Sequence, residues 1–200
     1  MLCTVCIPPG RTEQHPCPDE RASGCLARRG PHAAGHTSVV HSLYDLTIRP
    51  CLACRGCQQD WSGPNCVIDD DMTEIFADIL SCDLLLLASP IYNWYCTAPL
   101  KAAMDRCIYA LCKYYGEERG PSLWEGKAVA AITTCGYQVE KGVDVWQEGL
   151  RRSCKHARLR WLGLYGERHR SYREPFMDAE KAQRARDFAR QIMTQLAAGE

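Results

Sequence analysis

The run Leu84-Leu85-Leu86-Leu87-Ala88-Ser89-Pro90-Ile91-Tyr92 joins five consecutive apolar residues to a turn, and its reading decides the fold. Apolar residues without alternation suit a strand covered on both faces, as inside a parallel sheet. Ala128-Val129-Ala130-Ala131-Ile132 repeats the signal, Val39 to Leu46 reads as a shorter strand, and Leu159 to Tyr165 as a weaker one at an edge. Between them the period changes to that of helices. Met72, Ile75, Phe76, Ile79 and Leu80 share one face, with Asp69, Asp70 and Asp71 where a helix N-terminus favours negative charge. Leu100, Met104, Cys107, Ile108 and Leu111 make a second face, Val143, Trp146 and Leu150 a third, and Ala185, Phe188, Ala189, Ile192 and Leu196 a last. Strand and helix in alternation specify an α/β domain: a doubly wound parallel sheet with right-handed crossovers and helices on both faces. Ligands of such sheets bind at the carboxyl ends of the strands, so the loops after residues 7, 46, 88 and 132 hold the chemistry.

The chain has 200 residues, 46% of them hydrophobic, enough for one well-buried core and too few for two large domains. Residues 1–200 are therefore expected to form a single domain. Lysine plus arginine equal aspartate plus glutamate at 24 each, so no net field draws in nucleic acid or an anionic membrane. The expected partner is a small molecule. No run approaches the roughly 18 apolar residues that span a bilayer, and Pro8-Pro9 follows Met1 to Ile7 at once, so a cytoplasmic protein is expected. Residues 8–36 break the pattern, being rich in Pro, Arg, His and Gly with almost no apolar periodicity.

Two strand ends carry unusual loops. Ser89-Pro90-Ile91-Tyr92-Asn93-Trp94-Tyr95 packs three large aromatics into a turn, which a flat cofactor ring can use as a platform; a tightly packed turn ahead of Thr97-Ala98-Pro99 suits the same residues. Thr133-Thr134-Cys135-Gly136-Tyr137 places hydroxyls and a glycine where a cofactor's polar edge would lie. Fourteen cysteines fit reduced thiols better than a disulfide scaffold, since most sit in apolar patterns; Cys82, Cys107, Cys112, Cys135 and Cys154 read as core-filling residues. Only Cys51-x-x-Cys54-x-x-Cys57 asks for more, either an iron–sulfur cluster or reactive thiols.

Ser89-Pro90-Ile91-Tyr92, followed by Leu100-Lys101-Ala102-Ala103-Met104-Asp105-Arg106 and by Thr133-Thr134-Cys135-Gly136, resembles the flavodoxin-fold NAD(P)H-dependent FMN reductases. Pro50-Cys51-Leu52-Ala53-Cys54-Arg55-Gly56-Cys57 leading to Asp69-Asp70-Asp71-Met72 resembles their iron–sulfur flavoprotein branch. The resemblance spans about residues 38 to 190. It implies strand order 2-1-3-4-5, FMN held by Ser89, Pro90, Ile91, Tyr92, Asn93, Trp94, Thr133, Thr134, Cys135, Gly136 and Tyr137, and NAD(P)H as a co-substrate. It also implies a [4Fe-4S] cluster beside the FMN on Cys51, Cys54 and Cys57, with Cys66 as the fourth ligand after a gap longer than the family's usual one; zinc would suit the same four thiolates. One departure stands out. Pro8-Pro9-Gly10-Arg11-Thr12 replaces the family's phosphate loop, leaving Arg11 and Thr12 as phosphate-binding candidates while the prolines remove two N–H donors.

The resemblance implies an FMN-dependent oxidoreductase with Tyr92, Asn93 and Tyr95 on the substrate side. At its narrowest it points to a dehydrogenase of an amino-deoxychorismate-type intermediate in antibiotic (enediyne) biosynthesis. A general NAD(P)H-dependent quinone or FMN reductase and a flavodoxin-like electron carrier are the alternatives. His156 and His169 suit surface or interface roles. Arg106 is expected to pair with Asp105 or a partner subunit, and the aromatic stretch from Arg106 to Tyr115 to support a homodimer or homotetramer.

Overall fold

The computed structural model describes residues 2–6, 38–170, 173 and 175–199. Five strands form one sheet: β1 (Leu2–Cys6), β2 (Ser38–Ser42), β3 (Leu84–Pro90), β4 (Ala128–Cys135) and β5 (Arg160–Arg168). All neighbouring pairs are parallel and the order is β2-β1-β3-β4-β5, the doubly wound arrangement expected from the alternating periods. The long helices are α1 (Met72–Ser81), α2 (Ala98–Leu111), α3 (Asp144–Ala157) and α4 (Ala179–Ala197), with a single helical turn, Val139–Gly142, ahead of α3. Among the described residues no helix is long and apolar enough to cross a membrane.

Both faces of the sheet are covered, which explains the unbroken apolar runs. Every residue of β3 and β4 is buried. Leu85, Leu87, Val129 and Ala131 point to α1, α2 and α3, meeting Ile75, Ile79, Leu100, Cys107, Trp146 and Leu150. The alternate residues Leu84, Leu86, Ala130 and Ile132 meet Ile192 of α4 and the loop residue Phe176, with Phe188 packed alongside. β5 is half-buried along most of its length, as an edge strand should be.

One strand end and one ion pair differ from the sequence reading. β2 stops at Ser42, and residues 43–46 turn away instead of extending the strand, Asp45 N–H donating to Ser42 O. Arg106 pairs not with Asp105 but with Asp70; Asp105 takes the neighbouring Lys101 one helical turn away. Residues 8–36, with Arg11 and Thr12, lie outside the described residues.

Candidate functional site

Two loops leave adjacent strand ends. Beyond β3, Ile91 N–H donates to Thr134 O, carrying the β3–β4 pairing to the rim of the sheet. The chain then doubles back, with Tyr92 and Tyr95 exchanging backbone hydrogen bonds of 2.9 and 3.1 Å. Asn93 and Trp94, the central residues of this turn, both have left-handed backbone at φ 51° and 61°. That is the geometry of a two-residue hairpin turn, and for tryptophan it is strained by about 1–2 kcal/mol. It throws the Trp94 indole outward, where it stacks on Tyr137 of the β4 loop at 5.5 Å and 24°. Tyr92 and Trp94 are each 45% exposed and Tyr137 59%, an unusual density of open aromatic surface.

The polar residues predicted here turn out to brace the loops. Ser89, Thr133 and Thr134 have 0% exposure. Ser89 Oγ accepts from Thr97 N–H at 3.1 Å and donates to Pro90 O at 2.8 Å, closing the base of the hairpin. Thr133 Oγ1 donates to Ser89 O at 2.7 Å. Cys135 is buried under the turn at Gly142. Tyr95, expected on the substrate side, points the other way: its ring lies on α3 over Gly149, where an added Cβ would sit 2.8 Å from the Tyr95 hydroxyl. Burial raises the Tyr95 phenol above its ordinary value. Tyr92, Asn93, Trp94, Gly136 and Tyr137 are the predicted residues that reach solvent, while Pro90 is buried and Ile91 half-buried behind them. Among the described residues, the backbone N–H groups of Asn93, Trp94, Gly136 and Tyr137 have no hydrogen-bond partner. A flat ring needs apolar support and donors along one edge, and these two loops offer both, so they fit the ring end of a flavin.

The cysteine loop, residues 50–67, lies along α2 on the face that carries α1 and α3. Its base is tied by Arg106, whose guanidinium donates to Arg49 O at 3.0 Å and Ile68 O at 3.3 Å and pairs with both oxygens of Asp70. Further along, Gln58 Nε2 donates to Tyr109 O and Cys112 O, and its Oε1 accepts from Tyr115 N–H. Cys57 Sγ also donates to Tyr109 O, at 3.3 Å. These contacts bear on the expected neighbourhood of cluster and flavin. Tyr109 is twelve residues beyond Thr97 on α2, about 18 Å of helix at 1.5 Å per residue. Cys57 therefore stands near the far end of α2 from the aromatic hairpin, not beside it within one chain.

Cys54, Cys57 and Cys66 share one neighbourhood, close enough for their charges to act on one another. Among the described residues no three His, Cys, Asp or Glu side chains converge as ligands of a single ion would. The chemistry around the thiols still suits an anionic metal group. Arg106 and Lys113, both buried, carry positive charge to Cys66, and Arg106 Nε is buried with no hydrogen-bond partner. Burial pushes the Cys57 thiol up, with the Gln58 amide and Lys113 acting in the opposite sense. The other cysteines behave as core: burial pushes Cys96, Cys107 and Cys154 up to about 12. Every cysteine from Cys51 to Cys154 is a free thiol.

Sequence reasoning missed Lys113 and Gln58, which organise the cysteine loop; neither a lysine in the aromatic stretch after α2 nor a glutamine in a polar loop carries a signal of burial. Trp94 and Tyr137 were both singled out, but their contact follows only from the two strand ends being adjacent.

Residues 19–158, well over half the chain, match the family model described as NADPH-dependent FMN reductase. The chain belongs to this family. The iron–sulfur flavoprotein of Methanosarcina thermophila is 42% identical over 62 residues, 30% of this chain and 30% of that protein. The chain thus matches about a third of the length of this curated relative. Among solved structures, this FMN reductase family member resembles the NAD(P)H:quinone oxidoreductase from Methanothermobacter marburgensis with a TM-score of 0.65, at 18% identity, over 96% of this chain and 94% of that one. It also resembles an FMN-dependent NADH-azoreductase from Bacillus anthracis in complex with FMN, with a TM-score of 0.63 at 13% identity, over 98% and 99% of the two chains. At those identities the likeness shows a shared fold.

Proposed function

We propose that this protein is an FMN-dependent oxidoreductase that takes electrons from NAD(P)H and delivers them to a small organic acceptor of the quinone class. The observation that carries the reading is the pair of strand-end loops with exposed Tyr92, Trp94 and Tyr137 and four N–H groups that have no partner among the described residues, in a chain of the FMN reductase family. When bound, FMN supplies hydride exchange at its N5, and a [4Fe-4S] cluster supplies single-electron transfer. Tyr92 and Trp94 support the flavin ring. The N–H groups of Asn93, Trp94, Gly136 and Tyr137 orient its polar edge. Ser89 and Thr133 keep both loops in register, and Tyr95 seats the hairpin on α3. Arg11 and Thr12, outside the described residues, are assigned to the phosphate.

Cys51, Cys54, Cys57 and Cys66 are assigned as the cluster ligands, on the support of the cations that flank them and of the iron–sulfur flavoprotein similarity. A homodimer or homotetramer belongs to the same reading. The surplus aromatic surface on and beyond α2 is partly used within the chain: Tyr109, Tyr115 and His156 stack in series and Gln58 covers the helix end. Oxidation of an amino-deoxychorismate-type intermediate is the alternative reaction for the same FMN site.

The test is the visible spectrum of anaerobically purified protein with flavin, iron and acid-labile sulfide measured beside it, followed by turnover with NAD(P)H and a quinone. Bound FMN with turnover is expected. A flavin-free protein overturns the reading, and bound FMN without turnover points to the dehydrogenase or to a carrier.

A further inference from the structure

The side chain of Lys113 is completely enclosed, with 0% exposure, yet no carboxylate lies within ion-pair distance of it among the described residues. Its ammonium donates instead to two backbone carbonyls, Cys57 O at 2.6 Å and Pro64 O at 3.2 Å. Those carbonyls belong to the two arms of the cysteine loop, one ending at Cys57 and the other two residues before Cys66. The groups that its charge reaches are the Cys57 and Cys66 thiols and the surface carboxylate Asp60.

The enclosure is built, not incidental. Just past α2 the chain folds into a hairpin in which Lys113 N–H donates to Pro121 O and Gly120 N–H to Lys113 O. Gly120 presses against both the lysine and the loop: a Cβ there would stand 2.6 Å from the Trp61 ring and 2.7 Å from Lys113 Cβ. Trp61 in turn donates its indole N–H to Gln58 O. A buried ammonium without a carboxylate is costly, because two carbonyl dipoles do not replace its hydration. Among the described residues, the groups its charge reaches are the carboxylate of Asp60 at the surface and, inside the enclosure, the Cys57 and Cys66 thiols, which become anionic only on losing their protons.

We propose that Lys113 is a positioning residue of the cysteine loop: it fastens the arm of Cys57 to the arm of Cys66 and supplies the counter-charge for their thiolates when a metal cluster is held there. Arg106 closes the base of the same loop through Arg49 O and Ile68 O, so the loop is held at two levels by two buried cations. This rests on the cluster assignment above for its second half only; the fastening belongs to the chain itself.

The test uses full-length protein as wild type, Lys113→Met and Lys113→Gln. In metal-free protein, a pulse of iodoacetamide followed by peptide mass analysis reads the alkylation of Cys57 against the core residues Cys107 and Cys154. Lys113→Met should speed Cys57 alkylation about tenfold and leave Cys107 and Cys154 as in wild type. After anaerobic reconstitution, an iron chelator should strip Lys113→Met at least about tenfold faster, the usual scale for outer residues of a metal site. Glutamine restores a donor but no charge, so Lys113→Gln should recover much of the Cys57 protection while its cluster, like that of the methionine variant, shows a lowered reduction potential. Unchanged Cys57 alkylation in both variants overturns the fastening role. An unchanged potential in both overturns the counter-charge role. If wild type takes up no iron, the cluster assignment fails and alkylation alone decides for or against Lys113; if Lys113→Met also exposes Cys107, Lys113→Gln decides in its place.

Discussion

Arg106 and Asp70 form a two-pronged ion pair, 2.9 and 3.1 Å, in which each side chain is only 1% exposed. Asp70 comes from the turn before α1 and Arg106 from the middle of α2, so the pair joins the exit of the cysteine loop to the helix it lies on. Breaking a buried pair by removing one partner leaves an uncompensated charge, which costs about 3–5 kcal/mol. Arg106→Met is therefore expected to lower unfolding stability by that amount in urea titrations. Arg106→Met combined with Asp70→Leu should cost clearly less than the two single changes summed, because no buried charge is then left alone.

The same carboxylate sets an acid limit. Burial works against the Asp70 charge, but hydrogen bonds from Arg106, Arg49 N–H and Met72 N–H hold its carboxyl below the usual aspartate value. A carboxyl depressed in the folded state adds stability above its unfolded value, about 3.9, and loses it as pH falls through the folded value. Unfolding stability should accordingly decline on acidification below about pH 4, and an Asp70→Asn variant, weaker at neutral pH, should show a smaller decline over that range. Equal pH slopes for the two proteins would count against the assignment.

For the flavin site, replacing Tyr92 and Trp94 together with alanine should release FMN on gel filtration with little loss of stability, since neither residue belongs to the buried core. Full retention of FMN by the double variant would place the ring elsewhere.

Gly149→Ala tests how the hairpin is seated. The new methyl group would meet the Tyr95 hydroxyl at 2.8 Å, so the tyrosine and with it the 92–95 turn must shift. Overpacking of this kind costs about 1–3 kcal/mol. A weaker FMN complex should accompany that loss, measured by flavin fluorescence titration, and Tyr95→Phe in the same background should recover part of both.

The cysteines divide by surroundings. Cys54→Ser should remove the broad visible absorption of a cluster and leave the flavin bands, whereas Cys107→Ala, in the core between α2 and the sheet, should keep the spectrum and lose only a little stability. Sedimentation of the wild type at micromolar concentration is expected to give a dimer or tetramer and not the 22.5 kDa monomer.

Much of the fold could be read directly from the order of residues. Unbroken apolar runs report burial on both faces of a strand and period-3.6 patterns burial on one face of a helix, and burial is what the runs at 84–88 and 128–132 and the faces of α1 to α4 recorded. The loops at the ends of β3 and β4 were legible for a related reason: topology sends ligands to strand ends, and aromatic residues stand out there. The roles within those loops were not. Nothing in their one-dimensional order separates Tyr92, which faces solvent, from Tyr95, which lies on Gly149, or tells that Ser89 and Thr133 brace each other beneath the surface.

The sequence by itself determined the doubly wound sheet, the aromatic strand-end loops and the presence of a cysteine loop, because each depends on local periodicity or spacing. Tertiary structure alone decided that Asp70 and not Asp105 answers Arg106, that Cys57 sits at the end of α2 away from the hairpin, and that Lys113 is sealed between the arms of the cysteine loop. Those relationships join residues 36 to 56 positions apart, counting from Asp70 to Arg106 and from Cys57 to Lys113. Which of many charged or polar side chains ends up buried is set by how helices and loops pack, and no periodic signal marks it beforehand.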